Sequence, residues 1–220
     1  MADARVLAKC DRIHTEGLRA IGEGKLPLFS GFPPSLEKRF NASVIFTRES
    51  TLVARERLIE PIKEKSRQLG LRYFLADADF PFHSTLKEAE WKGEVGTLDR
   101  DFEAAEKTAS ALSSGLVGET FEYSLLLAGG NVLLCSDEVP PKVEAFRSEL
   151  EKSLGQSFSP LPLDFLHSTL CRLKTCGGSV AMVEYAAAIC KLRIELAENP
   201  LELKVERVYC GSALSLLNSI

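Results

Sequence analysis

Phe82-His83-Ser84-Thr85-Leu86 and Leu166-His167-Ser168-Thr169-Leu170 carry one tetrapeptide, His-Ser-Thr-Leu, twice in a single chain. The chain has three histidines, and two of them sit in these copies. Each copy reads as a strand, in which alternate side chains share a face. His83 and Thr85 then point one way, and Phe82, Ser84 and Leu86 the other. The same parity puts His167 with Thr169, and Leu166 with Ser168 and Leu170. One face reads as core, and the other offers an imidazole beside a hydroxyl. A single His-x-Thr on a strand is ordinarily structural. Two identical copies are different, because a duplicated packing unit would keep Leu86 and Leu170 rather than a histidine and a threonine on the opposite face.

The elements around the copies repeat as well. Residues 4–23 predict an amphipathic helix, with Val6, Leu7, Cys10, Ile13, Leu18 and Ile21 at three- and four-residue spacing. A loop rich in Pro, Gly and Ser follows over 25–42, so the chain divides into 1–42, helix and linker, and 43–220, a two-lobed domain. Within the second part, 43–47 predicts a strand and 50–69 a helix closed by Gly70. Strands follow at 71–76 and 82–88, and a helix at 98–112. Residues 122–128 and 132–136 predict a hairpin around Gly129-Gly130-Asn131. The series then returns with a helix at 141–154, the second His-Ser-Thr-Leu strand at 166–173 and a helix at 180–196. A closing hairpin, 203–209 with 213–217, is predicted around Gly211-Ser212. Helices alternating with strands that turn back through tight hairpins predict an α+β fold with mostly antiparallel sheets.

Two such strands facing one groove would hold two imidazoles and two hydroxyls. That set suits attack on phosphorus. A neutral histidine takes a proton from water or a hydroxyl, and a protonated one donates to the leaving oxygen. An unperturbed pKa near 6.5 lets both forms exist near neutral pH. Threonine hydroxyls can donate to non-bridging phosphate oxygens, where charge builds. No metal or other cofactor is required, and no Asp/His/Glu ligand cluster stands near either tetrapeptide. By parity Lys87 reaches the groove. Arg172 points away from it unless the strand bends near Cys171. The aromatic residues near the motifs are Tyr73, Phe74, Phe80, Phe82, Trp91, Phe165 and Tyr209; most read as core, and Phe82 and Tyr209 are the candidates to stack on a base. His14 has no partner motif and reads as a surface or interface residue.

Composition narrows the partners. Net charge is −4, without the basic total usual in proteins that grip long nucleic acid. If the substrate is RNA, a short end or a nucleotide is expected; the chain is expected to act as a monomer. The six cysteines include no Cys-x-x-Cys pair and read as reduced thiols. The absence of a signal-type segment or a ~20-residue apolar run points to a cytoplasmic protein away from membranes.

The paired motifs resemble those of the 2H phosphoesterase superfamily, which includes RNA 2′,3′-cyclic phosphodiesterases, also called 2′-5′ RNA ligases. His167-Ser168-Thr169-Leu170-Cys171-Arg172 is similar to the extended His-x-Thr-Leu-x-Arg form of the bacterial members, and the likeness spans about residues 43–217. The resemblance implies a bilobal, pseudo-symmetric fold with two sheets flanking a central groove and helices outside. It implies that His83, Thr85, His167 and Thr169 form a catalytic quartet acting on a ribose-linked phosphodiester. The related activities are cleavage of 2′-5′ linkages, trimming of RNA 3′ ends and nucleotide binding without catalysis. Two departures stand out. Ser84 and Ser168 occupy a usually hydrophobic position, and Lys87-Glu88 stands where the bacterial enzymes tend to have an aromatic residue.

Overall fold

The computed structural model describes residues 2–94 and 96–217. In chain order its elements are α1 (Ala4–Gly22), β1 (Arg39–Phe46), α2 (Arg48–Ala54), α3 (Glu60–Gln68), β2 (Tyr73–Leu75), β3 (His83–Trp91) and α4 (Leu98–Ser113). There follow β4 (Thr120–Tyr123), β5 (Leu125–Leu127), β6 (Asn131–Cys135), α5 (Pro141–Ser153), β7 (Phe158–Pro160), β8 (His167–Leu173), α6 (Ser179–Glu198), β9 (Leu201–Ser212) and α7 (Ala213–Leu217). α2 runs into α3 through a π-helical stretch, Arg55–Ile59. Gly70, at φ +67°, ends α3 in the left-handed conformation, and Leu71 N–H caps the Ser66 carbonyl behind it.

The fold is α+β, with all named strands paired antiparallel. The two sheets expected are halves of one sheet, ordered β4-β9-β1-β3-β8-β6-β5, with β7 on β3 and β2 on β8. The halves meet through one ladder pair among the described residues, Ser84 with Ser168. Beyond that pair β3 and β8 splay apart, and each takes a short strand along its far end. β7 pairs with β3 over Ala89–Trp91, and β2 pairs with β8 over Cys171–Leu173. A pseudo-twofold axis thus passes between Ser84 and Ser168. It relates β3 to β8, β1 to β6, β9 to β5 and β7 to β2. Helices α4 and α5 pack on the first half, and α1 and α6 lie against β5 of the second.

Three expectations change. Residues 122–128 are not one strand: β4 pairs with β9, and after Ser124 the chain passes to β5, which pairs with β6. The closing hairpin does not form. β9 runs straight through Gly211, whose φ of 159° is extended, and then enters the short helix α7. Ser212 Oγ accepts from Ser215 N–H, so the predicted turn is a helix cap. Ala213 and Leu216 are the buried residues of α7, at helical spacing. β7 was not foreseen, because Phe158–Pro160 has no periodicity to read.

The segment before residue 43 is built into the fold. β1 starts at Arg39, ahead of the 42/43 boundary. Val6 and Cys10 of α1 pack with Leu127, Cys135 and Phe165. A Cβ on Gly17 would stand 1.8 Å from the Ala128 carbonyl oxygen, so only glycine lets α1 lie this close to the β5–β6 turn. Leu26 and Leu36 are buried on either side of the Pro- and Gly-rich loop.

Candidate active site

Each histidine strand carries a β-bulge at the last residue of its motif. Ala42 pairs with Lys87 and Ser43 with Thr85, leaving Leu86 as the extra residue. Val132 pairs with Cys171 and Leu133 with Thr169, leaving Leu170 extra. A bulge shifts the alternation by one residue. Leu86 and Lys87 are therefore both turned inward, as are Leu170 and Cys171. The positions five after each histidine, Glu88 and Arg172, turn toward the groove.

One cavity of about 440 Å³ results, lined by His83, Thr85, His167, Thr169, Glu88 and Arg172. Its size suits a nucleotide. Asn41 is in register with Glu88 on one side of the pseudo-dyad, and Asn131 with Arg172 on the other; both asparagines line the cavity. Each half contributes a histidine, a threonine and an asparagine; the first half adds Glu88 and Arg39, the second Arg172. Glu88 and Arg172 occupy equivalent positions with opposite charge, and Arg39 stands beside Glu88. Glu88 accepts a 3.3 Å hydrogen bond from Asn41 Nδ2 and lies 3.8 Å from Arg39 Nη1. Arg172 forms no ion pair with any described residue, and its Nε is buried without a hydrogen-bond partner. Its guanidinium instead lies 5.5 Å and 5.6 Å from the ring centres of Phe29 and Phe32, at the edge of cation–π range.

The two imidazoles are held differently. His83 Nδ1–H donates to the Pro81 carbonyl at 2.7 Å, which keeps that proton on Nδ1 and leaves the Nε2 lone pair free. The matching carbonyl for His167 is Phe165, but Arg147 Nη2 donates to it at 3.2 Å. His167 Nδ1 is buried and has no partner that meets hydrogen-bond geometry. Burial lowers the pKa of His83 to about 4, against the Pro81 bond, which raises it; the Arg172 charge lowers it further. Burial likewise lowers His167 to about 4, followed by the charges of His83, Arg147 and Arg172, while the nearby Phe165 carbonyl pulls the other way. Both rings are neutral at pH 7 in the open cavity.

Three candidate binding residues lie elsewhere. The bulge takes Lys87 out of the groove, and its Nζ pairs with Glu151 of α5 at 2.6 Å. Phe82 is buried on the core face, 5.2 Å from Phe46 between ring centres. Tyr209 is on β9, where its hydroxyl donates to the Ser212 carbonyl at 2.9 Å. Arg172 is in the cavity, through the bend on which its placement depended. Glu88, Asn41, Asn131 and the Phe29–Phe32 loop were missed. Glu88 was within reach, since it stands at the same offset from His83 as Arg172 from His167. His14 is half-buried between α1 and the β5 end, where its Nδ1 accepts from Ala128 N–H at 3.0 Å.

Among the described residues no group of three His, Cys, Asp or Glu is placed to hold a metal ion, and no helix is long and apolar enough to cross a membrane. No protein-family model matches the sequence, and no curated protein matches it. Among solved structures the chain is similar to Usb1 of Kluyveromyces marxianus, at 10% identity and a TM-score of 0.46 over 82% of this chain and 96% of that one. The same protein with uridine monophosphate gives 10% identity and a TM-score of 0.48, over 80% and 95%. These likenesses are too distant to bear on the chemistry, which rests on the side chains described above.

Proposed function

We propose that this protein is a metal-independent phosphodiesterase of the 2H type. Its substrate is a ribose-linked phosphodiester, foremost a 2′,3′-cyclic phosphate on a nucleotide or RNA end. The observation that carries this reading is the cavity itself. Two imidazoles, one from each half of a pseudo-symmetric sheet, share it with two threonine hydroxyls and the Arg172 guanidinium, which pairs with no carboxylate among the described residues.

The chemistry follows from those groups. A phosphodiester brings one negative charge between two neutral rings. That charge favours the imidazolium form, so one histidine takes up a proton as substrate binds. The other remains neutral and accepts a proton from water as its oxygen bonds to phosphorus. The bond from phosphorus to one ribose oxygen breaks, and the imidazolium donates its proton to that oxygen. The product is a phosphomonoester beside a free ribose hydroxyl. Thr85, Thr169 and Arg172 supply donors for the non-bridging oxygens, whose charge grows in the transition state. Glu88 and Arg39 offset each other in the first half, whereas Arg172 pairs with no carboxylate among the described residues, so the phosphate sits toward Arg172.

The test is turnover of 2′,3′-cyclic nucleotides, and of a short RNA ending in a cyclic phosphate, with EDTA present. His83→Ala and His167→Ala serve as controls. Each should cost roughly 10²- to 10⁴-fold in kcat, the usual worth of a general acid or base. Turnover that survives both substitutions, or that EDTA abolishes, would overturn the proposal. Nucleotide binding without turnover would leave a binding module in its place.

A further inference from the structure

Beside the histidine cavity lies an open depression of about 430 Å³ that shares Phe29, Gly31 and Phe32 with it. Its outer wall adds Phe74, Arg72 and Lys174. Phe29, Phe32 and Phe74 form a triangle of rings with centres 4.9 Å, 5.0 Å and 5.4 Å apart. Arg172 approaches this cluster from the cavity side. Lys174 Nζ stands over Phe74 at 4.9 Å on the far side. Neither Arg72 nor Lys174 forms an ion pair with a described residue.

The depression rests on firm backbone. Phe29 N–H donates to the Leu173 carbonyl at 2.7 Å, which ties the loop to the end of β8. Lys174 N–H donates to the Arg72 carbonyl at 2.8 Å, continuing the β2–β8 ladder. The loop and the strand ends thus present half-buried rings, Phe74 backed by Phe80, flanked by two cations without an ion pair among the described residues. Aromatic rings beside unpaired cations are what single-stranded nucleic acid uses, a base stacking on the rings and a phosphate meeting the charge. A mononucleotide in the histidine cavity would leave this surface unused.

We infer that the depression holds the nucleotide preceding the one whose phosphate is cleaved, so that the preferred substrate class is an RNA oligonucleotide rather than a mononucleotide. The inference rests on the phosphodiesterase reading of the histidine cavity. It explains how a chain of net charge −4 holds RNA: recognition is confined to a short end, with one base on the rings and one phosphate between Arg72 and Lys174. It also gives the loop before β1 a role as the wall common to both nucleotides.

The experiment compares kcat/KM for a 2′,3′-cyclic mononucleotide and for a tetranucleotide ending in the same cyclic phosphate, in the wild type and in Arg72→Ala/Lys174→Ala. One stacked base and its phosphate are worth about 5- to 150-fold, so the wild type should prefer the oligonucleotide by a factor in that range. The double variant should lose most of that preference and show a shallower salt dependence, with mononucleotide turnover held within about twofold. Equal rates on the two substrates, or an equal loss on both in the variant, would overturn the inference while leaving the phosphodiesterase reading intact. If neither substrate is turned over, that reading fails instead. Fluorescence anisotropy with the oligonucleotide then decides this one: salt-sensitive binding weakened by Arg72→Ala/Lys174→Ala sustains the surface, and unchanged binding removes it.

Discussion

Ser84 and Ser168 hold a 2.5 Å hydrogen bond between their hydroxyls at the point where the two histidine strands meet. The Tyr123 hydroxyl joins the pair at 2.6 Å from Ser84, and all three residues are buried. The serine between histidine and threonine is thus the contact about which the halves are related. Each histidine is the neighbour of one of these serines, so the separation of the imidazoles depends on this junction.

The junction predicts a non-additive stability pattern. Ser84→Ala alone leaves the Ser168 and Tyr123 hydroxyls buried without that partner, which costs about 1–3 kcal/mol. The triple variant Ser84→Ala/Ser168→Ala/Tyr123→Phe removes every polar member together. It should be less destabilised than the sum of the three single changes, because no hydroxyl is orphaned. Urea unfolding of the four single and combined variants measures this directly. Strict additivity would mean that the three hydroxyls do not act as one network.

The buried imidazoles predict two pH dependences of definite sign. The unfolded rings take protons near pH 6.5 and the folded rings near 4. Between those values the unfolded chain binds more protons, so these rings make stability fall as pH drops from about 6.5 toward 4 and contribute no slope above that window. His83→Asn/His167→Asn should flatten this part of the curve. In catalysis, kcat/KM reports the free enzyme and kcat the complex. The kcat/KM optimum should therefore lie on the acid side of neutrality, and that of kcat should move upward as the bound anion favours one imidazolium. Coincident optima would show that substrate charge does not set the proton on the ring.

The motif strands and most helices were legible because they follow the periods of two and 3.6 that burial imposes. What the sequence hid came from places where those periods break. Leu86 and Leu170 are bulged, and a bulge leaves no mark in an apolar-polar pattern when the residues on both sides are apolar or amphipathic. Strict alternation therefore sent Lys87 into the groove and Arg172 out of it, the reverse of what the structure has. Ala213–Leu217 is too short for either period to declare itself, so Gly211-Ser212 read as a turn. The Phe29–Phe32 loop has no period at all. Its place beside Arg172 is held by a backbone hydrogen bond to Leu173 and by ring contacts with Phe74, which no local pattern announces.

The bulges can be tested through the two cations they sort. Arg172→Ala removes the guanidinium of the second half and with it charge-assisted hydrogen bonds worth roughly 1.5–3 kcal/mol, so kcat/KM should fall about 10- to 150-fold. Arg172→Lys should recover only part of this, because a point charge cannot reproduce the planar fork. Lys87→Met should leave kcat/KM near the wild-type value, since Lys87 is buried behind the strand and pairs with Glu151. Steady-state kinetics on a cyclic nucleotide separates the cases. A large loss at Lys87 with little at Arg172 would restore plain alternation and refute both bulges.

Glu88 gives the sharpest test of how the pseudo-symmetric cavity is made directional. It is the counterpart of Arg172 across the axis, beside Asn41 as Arg172 is beside Asn131. Glu88→Gln keeps the side-chain shape and an oxygen for Asn41, and removes one negative charge from the cavity wall. It also frees Arg39, which stands 3.8 Å away. If Glu88 acts by repelling phosphate toward the Arg172 half, the variant should bind anions more tightly, with inorganic phosphate inhibiting at severalfold lower concentration. Its kcat should drop because a fraction of substrate binds in the wrong half, an effect of the order of a single Coulombic contact. If kcat/KM instead falls more than about tenfold with no gain in phosphate affinity, Glu88 accepts a hydrogen bond from the substrate itself, a loss near 1.4 kcal/mol or more. In that event the direction of binding is set by contact with the nucleoside and not by charge.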